Sequence, residues 1–172
     1  MRLLSIIVAL MAVLAVAAYG IGYTLPQHFS TIRATSYSQP IETVWHTITD
    51  MDSLPQWNKG IAQVSRIDTG EGEVWRLTDS SGHFMDMKTV ESVPPIRRVV
   101  RIQNSDQPLG GEWVFELQEA GNGTLLRITE NAEIQSPLFR FISRHIIGNA
   151  HGLENYLLAL GEHFGENPVI EK

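Results

Sequence analysis

The chain has 172 residues and no cysteine, which excludes disulfide bonds and thiolate metal ligands. Its 19 acidic and 13 basic residues give a formal net charge of −6. A net negative chain without a stripe of lysine and arginine is a poor electrostatic match for phosphate backbones, so we expect no nucleic-acid partner. The length fits one domain with a short appendage.

The appendage is an apolar segment at the N-terminus. Residues 3–25 carry no charge, and as a helix they extend about 34 Å, enough to cross a bilayer core of about 30 Å. Pro26 follows and ends the helix. We predict an uncleaved transmembrane anchor in residues 1–26, because the apolar run continues for eight residues beyond the small-residue site at Ala15-Val16-Ala17. A signal peptide cleaved at that site is a second reading, and a buried helix of the domain is a third.

The charges around this segment predict its orientation. Arg2 and the α-amine are the only charges before it, and positive charge tends to stay in the cytoplasm. We therefore expect a single-pass membrane protein whose domain, residues 27–172, lies on the extracytoplasmic side. Arg33, which follows the segment closely, weakens this signal.

The domain begins with a strand and two short helices. Residues 30–38 are rich in serine and threonine and alternate, which predicts a strand. Pro40 can occupy the first turn of an amphipathic helix that runs to Asp50. Residues 54–57 then indicate a short second helical turn.

Six further strands follow, each alternating or rich in β-branched residues. Glycine-containing turns and Pro94-Pro95 separate them. Asn122-Gly123 is a strong hairpin signal between the last two. The predicted strands are residues 61–68, 73–78, 83–93, 97–103, 111–118 and 124–132.

A long amphipathic helix closes the domain. Ser136 can cap it and Pro137 can open it, and apolar residues recur at three- and four-residue steps over about seven turns to Phe164. One long helix can cover the apolar face of a sheet only if the sheet curls around it. The predicted fold is therefore α+β of the helix-grip type. It has a curved antiparallel sheet of about seven strands around a long C-terminal helix, with two short helices after the first strand.

Several short motifs accompany this order of elements. One is Pro-x-x-x-Val-Trp at residues 40–45, followed by Asp50 and Trp57; another is Thr129-Glu130, continued by Ser-Pro-x-Phe-Arg-Phe-x-Ser-Arg at residues 136–144. With them the chain resembles the SRPBCC superfamily, also called START-like, and within it the polyketide cyclase/dehydratase-like branch, over about residues 30–165. The resemblance implies a hydrophobic cavity between sheet and helix. Members mostly bind or carry lipids, sterols, quinones and polyketides, and a minority are enzymes.

The inward strand positions and the helix positions facing them are the candidate ligand-binding residues. Aromatic and methionine side chains suit an adaptable apolar pocket, although an ordinary filled core needs the same residues. The candidates are Trp57, Trp75, Leu77, Met85, Met87, Val100, Ile102, Trp113 and Phe115, with Phe141, His145, Leu153 and Leu157 from the helix.

A few polar residues are candidates for chemistry. Glu130 lies in a strand that otherwise reads as core, where a carboxylate can orient a ligand or act as an acid or base. We favour a structural ion pair of Glu130 with Arg140 or Arg144. His145 is either a polar group in the pocket or, as we favour, a core histidine. Asp86 should face solvent, since its neighbours in the strand point inward. We expect no metal and no cofactor, because the histidine spacings do not form a helical metal motif.

The favoured function is binding or carriage of a lipid-, quinone- or polyketide-like molecule at the membrane. The first alternative is a cyclase, dehydratase or hydrolase that uses Glu130 and His145. The second is an interaction domain of the cell envelope, for which a filled core and an exposed apolar patch would be the mark.

Overall fold

The predicted order of elements is present in the computed structural model, which describes residues 2–68, 70 and 72–172. An N-terminal helix precedes a strand, two short helices, six strands and a helical C-terminal region. The elements are α1 (Arg2–Thr24), β1 (His28–Tyr37), α2 (Ile41–Thr49), α3 (Leu54–Trp57), β2 (Gln63–Asp68), β3 (Glu73–Thr78), β4 (Phe84–Val93), β5 (Arg97–Ser105), β6 (Leu109–Ala120), β7 (Gly123–Ile134), α4 (Pro137–Ile142), a π-helix (Ser143–Ile147) and α5 (His151–His163).

The seven strands form one antiparallel sheet in the order β1-β7-β6-β5-β4-β3-β2. Strands β2 to β7 form the predicted meander, and β1 pairs with β7 along its whole length. The sheet curves around α5, so the predicted α+β helix-grip class is confirmed.

The β6–β7 hairpin turns one residue earlier than the Asn122-Gly123 signal predicts. Ala120 pairs with Gly123, so Gly121 and Asn122 are the two turn residues. Gly121 has a φ of +60°, as the first position of a type II′ turn requires. Gly123 serves packing instead, because a Cβ there would lie 2.0 Å from the carbonyl oxygen of Tyr37 in β1.

The concave face of the sheet holds the core. Side chains from β3 and β5 to β7 are buried against α2 and α5, and Leu153, Leu157 and Leu160 of α5 have no exposed surface. Full burial of one such side chain stabilises the fold by about 1.5–3 kcal/mol. The core therefore fixes α5 on the sheet.

The predicted seven-turn helix is broken, which corrects the sequence-based expectation. The amide of Gly148 donates to the carbonyl oxygen of Ser143 at 2.8 Å and so ends the π-helix. Gly148 then turns the chain at a φ of +90°, which glycine adopts without strain. The hydroxyl of Ser143 donates to the side-chain oxygen of Asn149 at 3.1 Å and holds the turn. As a result, α5 is the only part of the predicted long helix that packs in the core on the concave face.

The helix α1 is long and apolar enough to cross a membrane, and its most apolar window is not buried. This exposure disagrees with the reading of α1 as a core helix, while the anchor and signal-peptide readings both fit. Its last turn contacts α4 closely, since a Cβ at Gly22 would lie 1.8 Å from the carbonyl oxygen of Pro137. The guanidinium of Arg140 also donates to the carbonyl oxygen of Leu25 at 2.7 Å.

The C-terminal tail covers part of the outer edge of β1. Ala34 and Glu171 exchange two backbone hydrogen bonds of 3.1 and 2.8 Å. The hydroxyl of Thr35 donates to the carbonyl oxygen of Val169 at 2.9 Å. The tail leaves the first half of β1 uncovered next to the helix break.

Candidate functional site

The predicted ligand-binding residues divide into three groups by burial. One group is buried and packed in the core, a second is half-buried, and the third is exposed. The buried group is Trp57, Leu77, Val100, Phe115, Leu153 and Leu157; the half-buried group is Trp75, Met85, Met87, Ile102, Trp113 and Phe141; the exposed residue is His145.

An aromatic cluster fills the space between α5 and the middle of the sheet. The ring of Tyr156 lies 5.2 Å from that of Trp57 and 5.7 Å from those of Trp113 and Phe115, in edge-to-face arrangements. Tyr156 was not among the predicted ligand-binding residues. This part of the interior is a packed core, so any ligand site lies beside it.

The concave face continues beyond the first turn of α5. The register pairs Trp75 with Met87 and Met87 with Ile102, which forms one cross-strand row. Helix α5 begins opposite the next row, since a Cβ at Gly152 would lie 3.9 Å from the ring of Trp113. We call the half-buried residues at this end the apolar patch; they are Trp75, Met85, Met87, Ile102 and Trp113.

Glu130 lies at the edge of the apolar patch. It is the register partner of Trp113, whose indole N–H donates to the Oε1 of Glu130 at 3.1 Å. Burial raises the pKa of Glu130, and the indole hydrogen bond opposes this shift in part. The predicted ion pair is wrong: Arg140 binds the carbonyl oxygen of Leu25, and Arg144 is exposed.

His145 is not part of the interior. It lies in the π-helix, its side chain is exposed, and its ring is 5.1 Å from that of Phe141. The reason is the break at Gly148, which removes residues before it from the face that α5 presents to the sheet. Both sequence-based roles of His145, in the pocket and in the core, are therefore wrong.

Asp86 corrects another expectation. It lies on the convex face of the sheet, yet it is only 6% exposed. Arg76 binds both of its oxygens, at 2.7 and 2.9 Å, and Asn104 donates to it at 3.4 Å. This ion pair keeps the pKa of Asp86 below its usual range. The guanidinium carbon of Arg76 also lies 4.0 Å from the centre of the Phe84 ring. The arrangement stabilises the sheet rather than forming a site.

Several buried donors escaped the sequence analysis. Arg98, which is 6% exposed, donates to Thr89 Oγ1 at 3.1 Å and to the carbonyl oxygen of Ile48. Burial lowers its pKa. Among the described residues, the indole nitrogens of Trp57 and Trp75 are buried without a hydrogen-bond partner. The signal for Arg98 was alternation in β5, which places it on the same face as Val100, two residues later, and so toward the core.

An open groove of about 650 Å³ lies between the uncovered half of β1 and the helix break. Its lining is mostly polar, and an ion pair of 2.7 Å between Arg33 and Glu154 crosses it. Further lining residues are Thr31, Arg144, Asn149 and His151. No sequence motif indicated this groove, because it depends on the break at Gly148.

The curved seven-stranded sheet with a helix across its concave face is a START-like fold, and together with a family match over residues 38–165 it supports the predicted SRPBCC superfamily. The family model described as Activator of Hsp90 ATPase homolog 1-like protein matches residues 38–165, and the chain belongs to this family. A search of the curated proteins finds no match.

Solved structures share the fold at low sequence identity. A START superfamily protein from Mycobacterium smegmatis has 18% identity and a TM-score of 0.63, and the match covers 80% of this chain and 97% of that one. CalU16 from Micromonospora echinospora has 23% identity and a TM-score of 0.56, with coverage of 81% and 76%. The di-domain ARO/CYC protein StfQ from the steffimycin biosynthetic pathway has 15% identity and a TM-score of 0.59, with coverage of 81% and 52%. At these identities the likeness shows the fold alone.

Proposed function

We propose that the protein binds a small apolar molecule at the apolar patch and holds or carries it at the membrane. The observation that carries this proposal is the half-burial of Trp75, Met87 and Ile102 at the end of the concave face that α5 does not cover. Because these side chains are contiguous, they leave an apolar surface that a ligand can cover. Adaptable aromatic and methionine side chains suit a lipid-, quinone- or polyketide-like ligand.

Glu130 gives the proposed ligand a polar contact. Its raised pKa favours the uncharged carboxyl group, which can donate a hydrogen bond to a carbonyl or hydroxyl oxygen of the ligand. The buried indole N–H of Trp75 is a second donor at the apolar patch. The ligand that fits best is therefore apolar over most of its length and carries an acceptor oxygen.

The enzymatic alternative has less support. It needs two titratable groups at one cavity, and His145 is exposed in the π-helix while Glu130 lies on the concave face. The likeness to the ARO/CYC protein concerns the fold, which hosts both binders and enzymes. Binding is thus the function that the arrangement of residues favours.

The membrane location is part of the same proposal. As an uncleaved anchor, α1 would keep the domain of residues 27–172 where apolar ligands partition, on the extracytoplasmic side. Tyr19 and Tyr23 are exposed near the end of α1, where amphipathic rings favour the membrane interface.

The proposal is tested by native mass spectrometry and organic extraction of the full chain, purified from its own cells in mild detergent. We expect wild-type protein to release an apolar compound. Met87→Gln should retain less of it, because burying an amide without a partner costs about 1–3 kcal/mol and each 1.4 kcal/mol is about tenfold in affinity.

The matched control is Val90→Gln, on the same strand at a position that is 41% exposed. Val90→Gln should retain as much compound as the wild type. A wild-type protein that releases no apolar compound, or equal retention by Met87→Gln and the wild type, would contradict binding at the apolar patch.

A further inference from the structure

Residues 137–147 expose an unusual amount of apolar surface for so short a segment. Leu138 is 42% exposed, Ile146 69% and Ile147 52%. Single exposed apolar residues are common on proteins, but a cluster of them marks an interaction surface. The helix break creates this surface. In an unbroken helix, part of the apolar face of residues 137–147 would have packed on the sheet.

The position of this segment follows from its contacts with α1. A helix of 23 residues extends about 34 Å, so its last turn reaches the boundary of a bilayer core of about 30 Å. Gly22 lies in that turn and touches Pro137, the first residue of α4. Arg140 donates to the carbonyl oxygen of Leu25, one residue after the helix ends. In a bilayer that α1 spans, both contacts would place α4 at the level of the lipid headgroups.

The charge of the segment differs from that of the chain. Residues 135–153 contain no aspartate or glutamate, although the whole chain has a net charge of −6. Arg144, His145 and His151 are exposed, whereas Arg140 is buried and bound to the carbonyl oxygen of Leu25. Basic side chains extend along apolar surface toward headgroups, and they are attracted to anionic lipids. Exposed apolar residues beside basic ones at this level match an anionic bilayer surface.

We propose that α4 and the π-helix lie in the headgroup layer of the bilayer that α1 spans, with anionic lipid as their partner. This inference rests on the proposed membrane anchorage. It extends that proposal, because the groove beside the helix break would open next to the lipid.

The absence of cysteine makes depth measurements direct, since each single-cysteine variant carries one label. The full chain is reconstituted into vesicles of phosphatidylcholine and phosphatidylglycerol, with an environment-sensitive fluorophore at Ile146→Cys. We expect blue-shifted emission and strong quenching by spin-labelled lipids. The control label at Leu158→Cys, on a position of α5 that is 41% exposed, should show water-like emission and little quenching.

Further variants separate the ways in which the proposal can fail. A label at Val13→Cys in the middle of α1 should be quenched from the bilayer centre. If it is not, the anchorage fails and the inference with it. If Val13→Cys is quenched while the label at Ile146 behaves like that at Leu158, the anchor stands and the inference is overturned. Emission from Ile146→Cys that shifts with protein concentration in detergent would indicate self-association and would also overturn it. Arg144→Gln should weaken quenching in anionic vesicles.

Discussion

A single methyl group at Gly22 tests whether α1 and α4 are held together. A Cβ at Gly22 would lie 1.8 Å from the carbonyl oxygen of Pro137 and 2.6 Å from its carbonyl carbon. Backbone atoms cannot rotate away as a side chain can. The two segments must therefore separate by about 1.6 Å if the contact is to reach 3.4 Å, where ordinary van der Waals contact begins.

This separation acts on the hydrogen bond beside the contact. The guanidinium of Arg140 lies 2.7 Å from the carbonyl oxygen of Leu25, and a shift of about 1.6 Å takes the pair beyond hydrogen-bond range. A hydrogen bond to a charged group contributes about 1.5–3 kcal/mol. We expect Gly22→Ala to weaken the docking of α4 on α1 by about that amount and to leave the sheet intact.

Amide hydrogen exchange of the full chain in lipid nanodiscs measures this effect. The amides of α4 should exchange faster in Gly22→Ala, by about tenfold for each 1.4 kcal/mol, while those of β6 and β7 stay as in the wild type. Gly20→Ala is the matched control, because a Cβ there meets nothing within 4 Å and both changes replace a helical glycine. Equal exchange of α4 in the two variants would refute the reasoning.

Two further changes test the interior. Tyr156→Leu removes three edge-to-face ring contacts worth about 0.5–1.5 kcal/mol each, so it should lower the free energy of unfolding by about 2–4 kcal/mol. Tyr156→Phe keeps the ring and should retain most of that stability. Similar urea midpoints for the two variants would contradict the role of the ring contacts. Glu130→Gln tests the raised pKa. Because the native state holds the proton of Glu130 more tightly, wild-type stability should fall as pH rises above the ordinary value of 4.5, until the native carboxyl is fully ionised. Glu130→Gln lacks this loss, so its stability relative to the wild type should rise as the pH increases above 4.5. A stability difference that stays constant with pH would contradict the assignment.

The strands were predictable because their pattern is local. The period of two and the turn residues placed all seven strands within about two residues of their ends, and β3 is residue for residue as predicted. The helix break was not predictable from the same pattern. Apolar residues recur at helical spacing on both sides of Gly148, and an isolated glycine is tolerated inside a helix. The hydrogen bond between Ser143 and Asn149 selects the break.

The site was predictable as a set of inward positions but not as a shape. Alternation placed Trp75, Met87 and Trp113 on the concave face, where they lie. Alternation does not show how far α5 extends over the sheet. The position where α5 begins decides which inward residues are packed in the core and which form the apolar patch. The partners of Asp86 and Glu130 also depend on neighbouring strands, whose register is set by the whole sheet.

The pairing of Ala34 with Glu171 has a consequence for how the chain can be altered. An uncovered edge strand presents free backbone groups to other chains and invites aggregation. Since Glu171 supplies both hydrogen bonds to Ala34, the final residues serve as a substitute neighbour for β1. Shortening the chain to the end of α5 would remove Phe164 and Ile170, which pack against the core, and would also open β1 to pairing with other chains.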